Sequence, residues 1–294
     1  MEIKHDQRTW REARTFAPLR SRRDLAKNRI GDPGRQGNAA VWPEAKEIRK
    51  TLQQRGVLVF PEIDLTDDEQ IAFTHTIGTF AQEKSEMREG QKGDHVYPIS
   101  MDPKVNSAAE YLKGAFFGHI DGTTSDVPIF ASIMSARSLA KEGGETDFCN
   151  TYAAWDDLPE KEKKEIEGLR VVHAFWRSQL YVHPEPSYAQ MKAWQAFPVK
   201  TLPLVWTHKS GRKSLILGVT AQQVEGMSAM ESEALLVRLR DWATQPQFSY
   251  RHTWKLGDMV AWDNTGTMHR ACPYDHNSGR LMHRTKIEGE ESFA

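Results

Sequence analysis

His119 and Asp121 stand two residues apart in a segment, Phe116–Ile120, that reads as a strand. On a pleated strand their side chains would leave the same face and could bind one ion together. His269, far along the chain, would complete a face of two imidazoles and one carboxylate. Such a face leaves three positions open on a redox metal, and its hard and borderline donors suit Fe(II) that must also take O2 and a chelating cosubstrate. His-x-Asp alone is a weak signal among 11 histidines and 40 acids. Taken by itself, His119 reads more simply as a hydrogen-bonded strand histidine. It does not stand by itself, because Arg280 follows His269 by 11 residues and Arg284 comes four later, two guanidinium groups facing one way on a strand. Arginine offers a permanently charged fork for a carboxylate.

The surrounding elements follow from periodicity and turn chemistry. Residues 1–41 carry many charges, lean basic and show little periodicity, which marks an irregular N-terminal arm. Residues 42–294 read as one folded domain. It opens with a helix from Trp42-Pro43 to Arg55, with Ala45, Ile48 and Leu52 at helical spacing and Gly56 as its stop. Gly56–Phe60 is a short apolar run suited to a buried strand. Thr66 and Glu69 form a capping box that opens a second helix through about Ile77. From there to Lys113 the chain is polar, a long loop of the kind that often serves as a lid. Strands are then expected at Phe116–Ile120, Ile129–Ala136, Leu169–Trp176, Pro203–His208, Ser214–Leu217, Phe248–Trp254, Met259–Trp262 and Leu281–Ile287. Helical inserts are expected at about 151–167, broken at Pro159, and 228–244, where Ser228 and Glu231 repeat the capping box. Helices followed by many short strands argue for a mainly β protein, a sandwich or barrel with helices outside.

Composition sets outer bounds. The 294 residues have a formal net charge of −1 and contain 9 Trp, 7 Tyr and 12 Phe. Balanced charge gives no support for nucleic acid or a membrane surface as partner. The aromatic load suits a packed body and also an apolar ligand cavity. Two cysteines, Cys149 and Cys272, read as buried thiols in a reducing compartment, and no apolar stretch or leader is evident, so a cytoplasmic location is expected.

The set Phe-x-Gly-His119-x-Asp121, Gly143-Gly144-Glu145-Thr146, Trp262-Asp263-Asn264, Met268-His269-Arg270-Ala271 and Arg280-x-Met-x-Arg284 resembles the TauD/TfdA family of Fe(II)- and 2-oxoglutarate-dependent dioxygenases. The resemblance runs from about Gly56 to Ile287. It implies a double-stranded β-helix, the jelly roll of cupin-like proteins, and iron ligands His119, Asp121 and His269. It also implies that Thr146 and Arg280 hold the far carboxylate of the cosubstrate 2-oxoglutarate, and that Arg284 holds an acidic substrate group or supports the cosubstrate. The implied reaction is hydroxylation of a C–H bond by O2, coupled to decarboxylation of 2-oxoglutarate to succinate and CO2. A filled carboxylate position argues against the family's halogenases. Relatives commonly self-associate, so a homo-oligomer is compatible with the resemblance.

The substrate is less legible. Tyr111–Phe117 is more apolar than the matching segment of taurine-using relatives, and Phe175-Trp176 with Trp194 and Phe197 adds aromatic side chains where relatives form a substrate lid. Phe116, Phe117 and Trp176 together tilt the reading towards a small aromatic or bulky apolar compound, including an aryloxyalkanoate-like acid bound by Arg284. A hydrophobic anchor for the insert explains the same aromatics equally well. Alternatives on the same scaffold are an alkylsulfonate or taurine-type dioxygenase and a desaturase or epoxidase, and outside enzymes a metal-binding jelly-roll sensor. Other residues have plain structural readings. Gly143-Gly144 is a tight turn, Trp262 core packing, and Asp263 and Asn264 caps of the turn before His269.

Overall fold

The computed structural model describes residues 45–82 and 93–293. The expected basic arm lies outside these residues, as does the 83–92 part of the expected lid loop. The helix Ala45–Arg55 buries Ile48 and Leu52 and stops at Gly56, whose φ of 77° is a left-handed conformation that favours glycine. The helix Asp67–Ile77 opens on the expected box, with Glu69 N–H donating to Thr66 Oγ1 and the Glu69 carboxylate accepting from Thr66 N–H. Local chemistry of this kind also starts the helix Ala229–Ala243 at Ser228 and the helix Tyr188–Gln195 at Ser187.

The strands, in chain order, are β1 (Val57–Phe60), β2 (Tyr97–Ile99), β3 (Ala131–Ser138), β4 (Thr146–Asn150), β5 (Arg170–Ala174), β6 (Val199–Pro203) and β7 (Val205–Thr207). They continue as β8 (Lys213–Leu215), β9 (Ala221–Val224), β10 (Ser249–His252), β11 (Met259–Asp263), β12 (Thr267–Ala271) and β13 (Leu281–Ile287). A major sheet has the order β1-β11-β3-β13-β2, and a minor sheet the order β10-β4-β12. Strands β6-β5-β9 and the pair β7-β8 form smaller sheets beside them.

Strand β11 shows why two layers form. Its Met259 and Ala261 pack with Leu58, Phe60, Ile48, Leu52 and Phe73, so this side of the major sheet is covered by the two N-terminal helices. Its Val260 and Trp262 face the other way and pack with Val57, Val59, Met282 and Phe148. Phe148 belongs to β4, so this second core lies between the major and minor sheets. Two facing antiparallel sheets with helices outside are the expected jelly roll. The helix Ala229–Ala243 covers a third core, burying Leu236, Leu239 and Ala243 with Leu204, Trp206 and Leu215. Among the described residues no helix is long and apolar enough to cross a membrane.

Several expected elements differ. Phe116–Ile120 is not a strand: a 3-10 turn spans Lys113–Phe116, His119 makes one isolated bridge to His269, and Asp121 begins a turn. Strand β5 ends at Ala174, and Phe175–Leu180, with Trp176, is helical, because a continuous apolar run gives no sign of where strand becomes helix. The insert at 151–167, by contrast, breaks at Pro159 as expected, into the helices Thr151–Asp156 and Glu160–Ile166, with Pro159 as the N-cap of the second. The long loop before Lys113 contains β2 and a short helix, Ala109–Leu112.

Buried ionisable groups couple this core to pH. Burial lowers His173 to about 3, and burial with the Arg212 charge lowers His208 to about 4. Burial raises Asp263 to about 6 against the hydrogen bonds from Thr265. Burial also lowers His269 to about 3. Between roughly pH 6 and 4 the unfolded chain therefore gains three imidazole protons that the folded chain lacks, while the folded chain keeps one carboxyl proton. The net excess of two protons on the unfolded side should make stability of the metal-free chain fall on acidification, by about 2.7 kcal/mol per pH unit. Urea midpoints at pH 6 and pH 5 test this, and a higher midpoint at pH 5 would contradict it.

Candidate active site

Two backbone bonds bring the distant histidines together: His119 N–H donates to His269 O and His269 N–H to His119 O, each at 2.9 Å. Their rings lie 4.2 Å apart, centroid to centroid. Asp121, in the turn that follows, places Oδ1 3.6 Å from His119 Nε2 and Oδ2 3.9 Å from His269 Nε2. The donor atoms of His119, Asp121 and His269 all lie within 4.8 Å of one another, the one such group among the described residues. His119 and Asp121 do converge, but on a geometry other than the expected one, since a bridge and a turn, not a regular pleat, bring them together.

The protonation states fit a cation. The His119 Nδ1 lies 2.9 Å from Phe117 O, so Nδ1 carries the proton and Nε2 presents its lone pair towards Asp121. Burial pushes His269 down to about 3, with His119 and Arg284 adding to it and Asp121 opposing, so its imidazole is neutral. Burial alone would raise the Asp121 carboxyl, but His269 and His119, where they take up protons in acid, the Arg284 charge and a hydrogen bond from Ser132 hold it below the usual carboxylate range. Two imidazoles and one carboxylate are a donor set for a divalent first-row metal. The two thiols do not compete: Cys149 and Cys272 are buried, and burial raises both.

A second cluster sits at the end of β4. Gly143 and Gly144 form the expected turn, with φ of 75° and 80°. Arg280 Nη2 donates to Gly144 O at 2.9 Å, and the guanidinium lies over the Tyr274 ring at 4.8 Å. Arg280 is 4% exposed, its Nε has no hydrogen-bond partner, and no described carboxylate is within ion-pair distance. A buried cation without an anion is costly, and a bound carboxylate would relieve it. Thr146 is buried, and its Oγ1 accepts a hydrogen bond from Trp254 Nε1 at 3.0 Å, leaving the hydroxyl proton to donate elsewhere. In the minor sheet Thr146 pairs with Ala271 and Phe148 with His269, so Thr146 shares the inward face of the strand that carries His269.

The close approach at Gly144 is specific. A Cβ there would lie 2.8 Å from Arg280 Nε, in a left-handed conformation that L residues resist. Gly144→Ala is expected to displace Arg280, lower stability by about 1–2 kcal/mol and raise the KM for 2-oxoglutarate. Unchanged KM alongside lowered stability would mean that Arg280 does not depend on this turn.

Arg284 lies elsewhere on the inner face. It pairs with Tyr97 across β13 and β2, its guanidinium stands 5.3 Å from the Tyr97 ring centre, and its Nη1 is 3.9 Å from Asp121 Oδ2. A bulge between Leu281 and Met282 separates it from Arg280, which precedes the strand, so the two arginines are not neighbours on one regular pleat. Of the aromatic candidates, Phe116 stacks on His276 at 5.5 Å and meets the edge of Tyr274, the ring beneath Arg280. Phe117 packs on Tyr181 at 5.1 Å and, with Met268 and His269, lines a cavity of about 660 Å³. Trp176 is half-buried on its helix, and no described contact joins it to the His119, Asp121 and His269 group. Its neighbour Phe175 packs on Phe197 at 4.3 Å, which is the anchoring arrangement.

Sequence reasoning missed Tyr97, Ser132, Trp254 and Tyr274. The one available signal was Ser132, a polar residue inside an apolar strand. Asp263 does cap its turn, accepting from Thr265 N at 2.9 Å, whereas Asn264 turns inward.

Comparison with known proteins agrees with this geometry. The family described as taurine catabolism dioxygenase TauD, TfdA family matches residues 21–286. An alpha-ketoglutarate-dependent 2,4-dichlorophenoxyacetate dioxygenase from Burkholderia sp. (strain RASC) is 36% identical over 258 residues, 84% of this chain and 86% of the relative. An (S)-phenoxypropionate/alpha-ketoglutarate-dioxygenase from Sphingobium herbicidovorans is 34% identical, covering 83% and 86%. The crystal structure of AAD-2 in complex with Mn(II) and N-oxalylglycine superposes with a TM-score of 0.71 at 32% identity, covering 85% of this chain and 89% of that one. With its jelly roll, its His-Asp-His group and a family match over most of its length, the chain belongs to the TauD/TfdA family of dioxygenases, which use Fe(II), 2-oxoglutarate and O2.

Proposed function

We propose that the chain hydroxylates a small aromatic carboxylic acid of the aryloxyalkanoate kind, with His119, Asp121 and His269 holding the iron. The observation that carries the substrate reading is Arg284, a guanidinium set between Tyr97 and Asp121 on the inner face, close enough to the metal-binding carboxylate to seat an acid beside it. Relatives named for phenoxyacetate and phenoxypropionate support the same class. Phe116 and Phe117 would contribute apolar surface for the ring.

Iron, 2-oxoglutarate and O2 together supply the oxidising power for C–H hydroxylation, with succinate and CO2 as coproducts. The chain's own residues bind and orient. Arg280 would give the far carboxylate of 2-oxoglutarate a cationic partner, and Thr146, its oxygen already taken by Trp254, would donate its hydroxyl proton to the same group. Phe117 O and Ser132 Oγ keep His119 and Asp121 in their binding states. Arg284 fixes which C–H bond of the acid faces the metal.

Succinate release with phenoxyacetic acid, an alkylsulfonate and an uncharged aryl ether tests the reading. Coupled turnover with the phenoxy acid alone is the expected result. Preference for the sulfonate would move the chain to the taurine-type branch, and preference for the ether would remove Arg284 from substrate binding.

A further inference from the structure

We propose that Trp262, Asn264 and Ser132 are positioning residues, a one-way chain of hydrogen bonds that ends on Asp121 and decides which carboxylate oxygen meets the metal. The proposal rests on the reading of Asp121 as an iron ligand and adds to it the residues that hold it there. Trp262 Nε1 donates to Asn264 Oδ1 at 3.0 Å, Asn264 Nδ2 to Ser132 Oγ at 3.1 Å, and Ser132 Oγ to Asp121 Oδ2 at 3.2 Å. All three side chains are buried, Ser132 and Asn264 at 0% exposed and Trp262 at 1%.

Proton accounting fixes the direction. An indole N–H can only donate, so the Asn264 atom facing it must be the amide oxygen. The amide NH2 then has to face Ser132, whose oxygen accepts from it. The Ser132 proton is left with Asp121 as its acceptor. No link can be reversed without leaving a buried donor facing a donor, which makes the chain a directional device rather than a set of adaptable contacts.

The consequence falls on the two carboxylate oxygens. Oδ2 accepts from Ser132 and lies near Arg284, whereas Oδ1 faces His119 Nε2 and accepts no hydrogen bond among the described residues. The chain thus occupies Oδ2 and leaves Oδ1 for a cation. Trp262 braces a second ligand as well, because its ring lies 4.8 Å from that of His269. The three come from separate places, Ser132 from β3 and Trp262 and Asn264 from the end of β11 and the turn after it. Pairing of Ser132 with Trp262 across the major sheet brings them together.

The test measures Mn(II) binding to the metal-free full chain by electron paramagnetic resonance of the unbound ion, with melting temperature recorded for every variant. Ser132→Ala is expected to weaken Mn(II) binding by about tenfold to a hundredfold, the usual cost of a lost partner behind a ligand. Trp262→Phe keeps a ring against His269 but frees the Asn264 amide to flip. Ser132 can then donate to Asn264 instead of Asp121, and binding should weaken by several-fold although the change lies three hydrogen bonds from the carboxylate. The double variant should bind no more weakly than Ser132→Ala, because Trp262 acts on Asp121 through Ser132. Wild-type Mn(II) affinity in folded Trp262→Phe, or losses that add in the double variant, would overturn the proposal. Should Ser132→Ala fail to fold, Trp262→Phe alone decides between these outcomes. Asp121→Ala is the control for the underlying reading: wild-type Mn(II) affinity in that variant would overturn the ligand assignment itself, a result separate from failure of the chain.

Discussion

His119→Ala is expected to abolish the weak visible charge-transfer absorption that Fe(II) and 2-oxoglutarate give together under anaerobic conditions, and with it all coupled succinate release. The imidazole is one of only three protein donors in the cluster, and its Nε2 faces the Asp121 carboxylate at 3.6 Å. Loss of a partner behind a ligand typically costs about 10–100-fold in metal affinity, and loss of the ligand itself should exceed that. The fold should survive, because the ring is half-buried and its backbone bonds to His269 do not involve the side chain. His183→Ala supplies the contrast, since His183 pairs with Glu110 near the surface at 2.9 Å, away from the cluster. It should leave the band unchanged. Normal band intensity in His119→Ala would remove His119 from the metal site.

The features readable from sequence are those fixed by neighbours along the chain. The capping boxes at Thr66 and Ser228 and the stop at Gly56 are satisfied within one helical turn, so a short window contains all the information. Strand β13 is legible over its full length from the apolar Leu281, Met282 and Ile287 at its two ends, although His283–Lys286 between them are polar. Strands β4 and β12 are not, and they are the strands of the site. Thr146-Asp147-Phe148-Cys149-Asn150 puts polar residues on both faces: Thr146 faces inward, while Asp147 faces outward and binds Arg251 and Arg270 from the two flanking strands. The partners that make this pattern reasonable lie more than 100 residues away. Functional residues also break the alternation that marks a strand, so the segments closest to the chemistry carry the weakest structural signal. The Asn264 reading failed for a related reason. A turn-capping role is the local expectation for Asn after Asp, but the amide is taken by Trp262 two residues back and by Ser132 from β3. Only the pairing of β11 with β3 makes that alternative available.

The two arginines should separate cosubstrate from substrate. Arg280→Ala removes a buried cation that lies against Gly144 O and over Tyr274 and has no described carboxylate partner, so the lost interaction should be with 2-oxoglutarate. Hydrogen bonds to charged groups are worth about 1.5–3 kcal/mol, which predicts a rise of roughly 10–150-fold in the KM for 2-oxoglutarate. Arg284→Ala should act on the other substrate. Its guanidinium stands 3.9 Å from Asp121 Oδ2, and a substrate carboxylate would share it with that ligand. The phenoxy acid KM is expected to rise by a similar factor, with the 2-oxoglutarate KM changing little. Uncoupled decarboxylation should also increase, because an acid no longer tethered would present its C–H bond less often. Arg284→Lys keeps the charge but loses the planar fork, so its KM should fall between those of the wild type and the alanine variant. A larger effect of Arg284→Ala on 2-oxoglutarate than on the phenoxy acid would reassign Arg284 to the cosubstrate. The substrate would then have to be held by apolar contacts alone, and an uncharged aryl compound would be the better candidate.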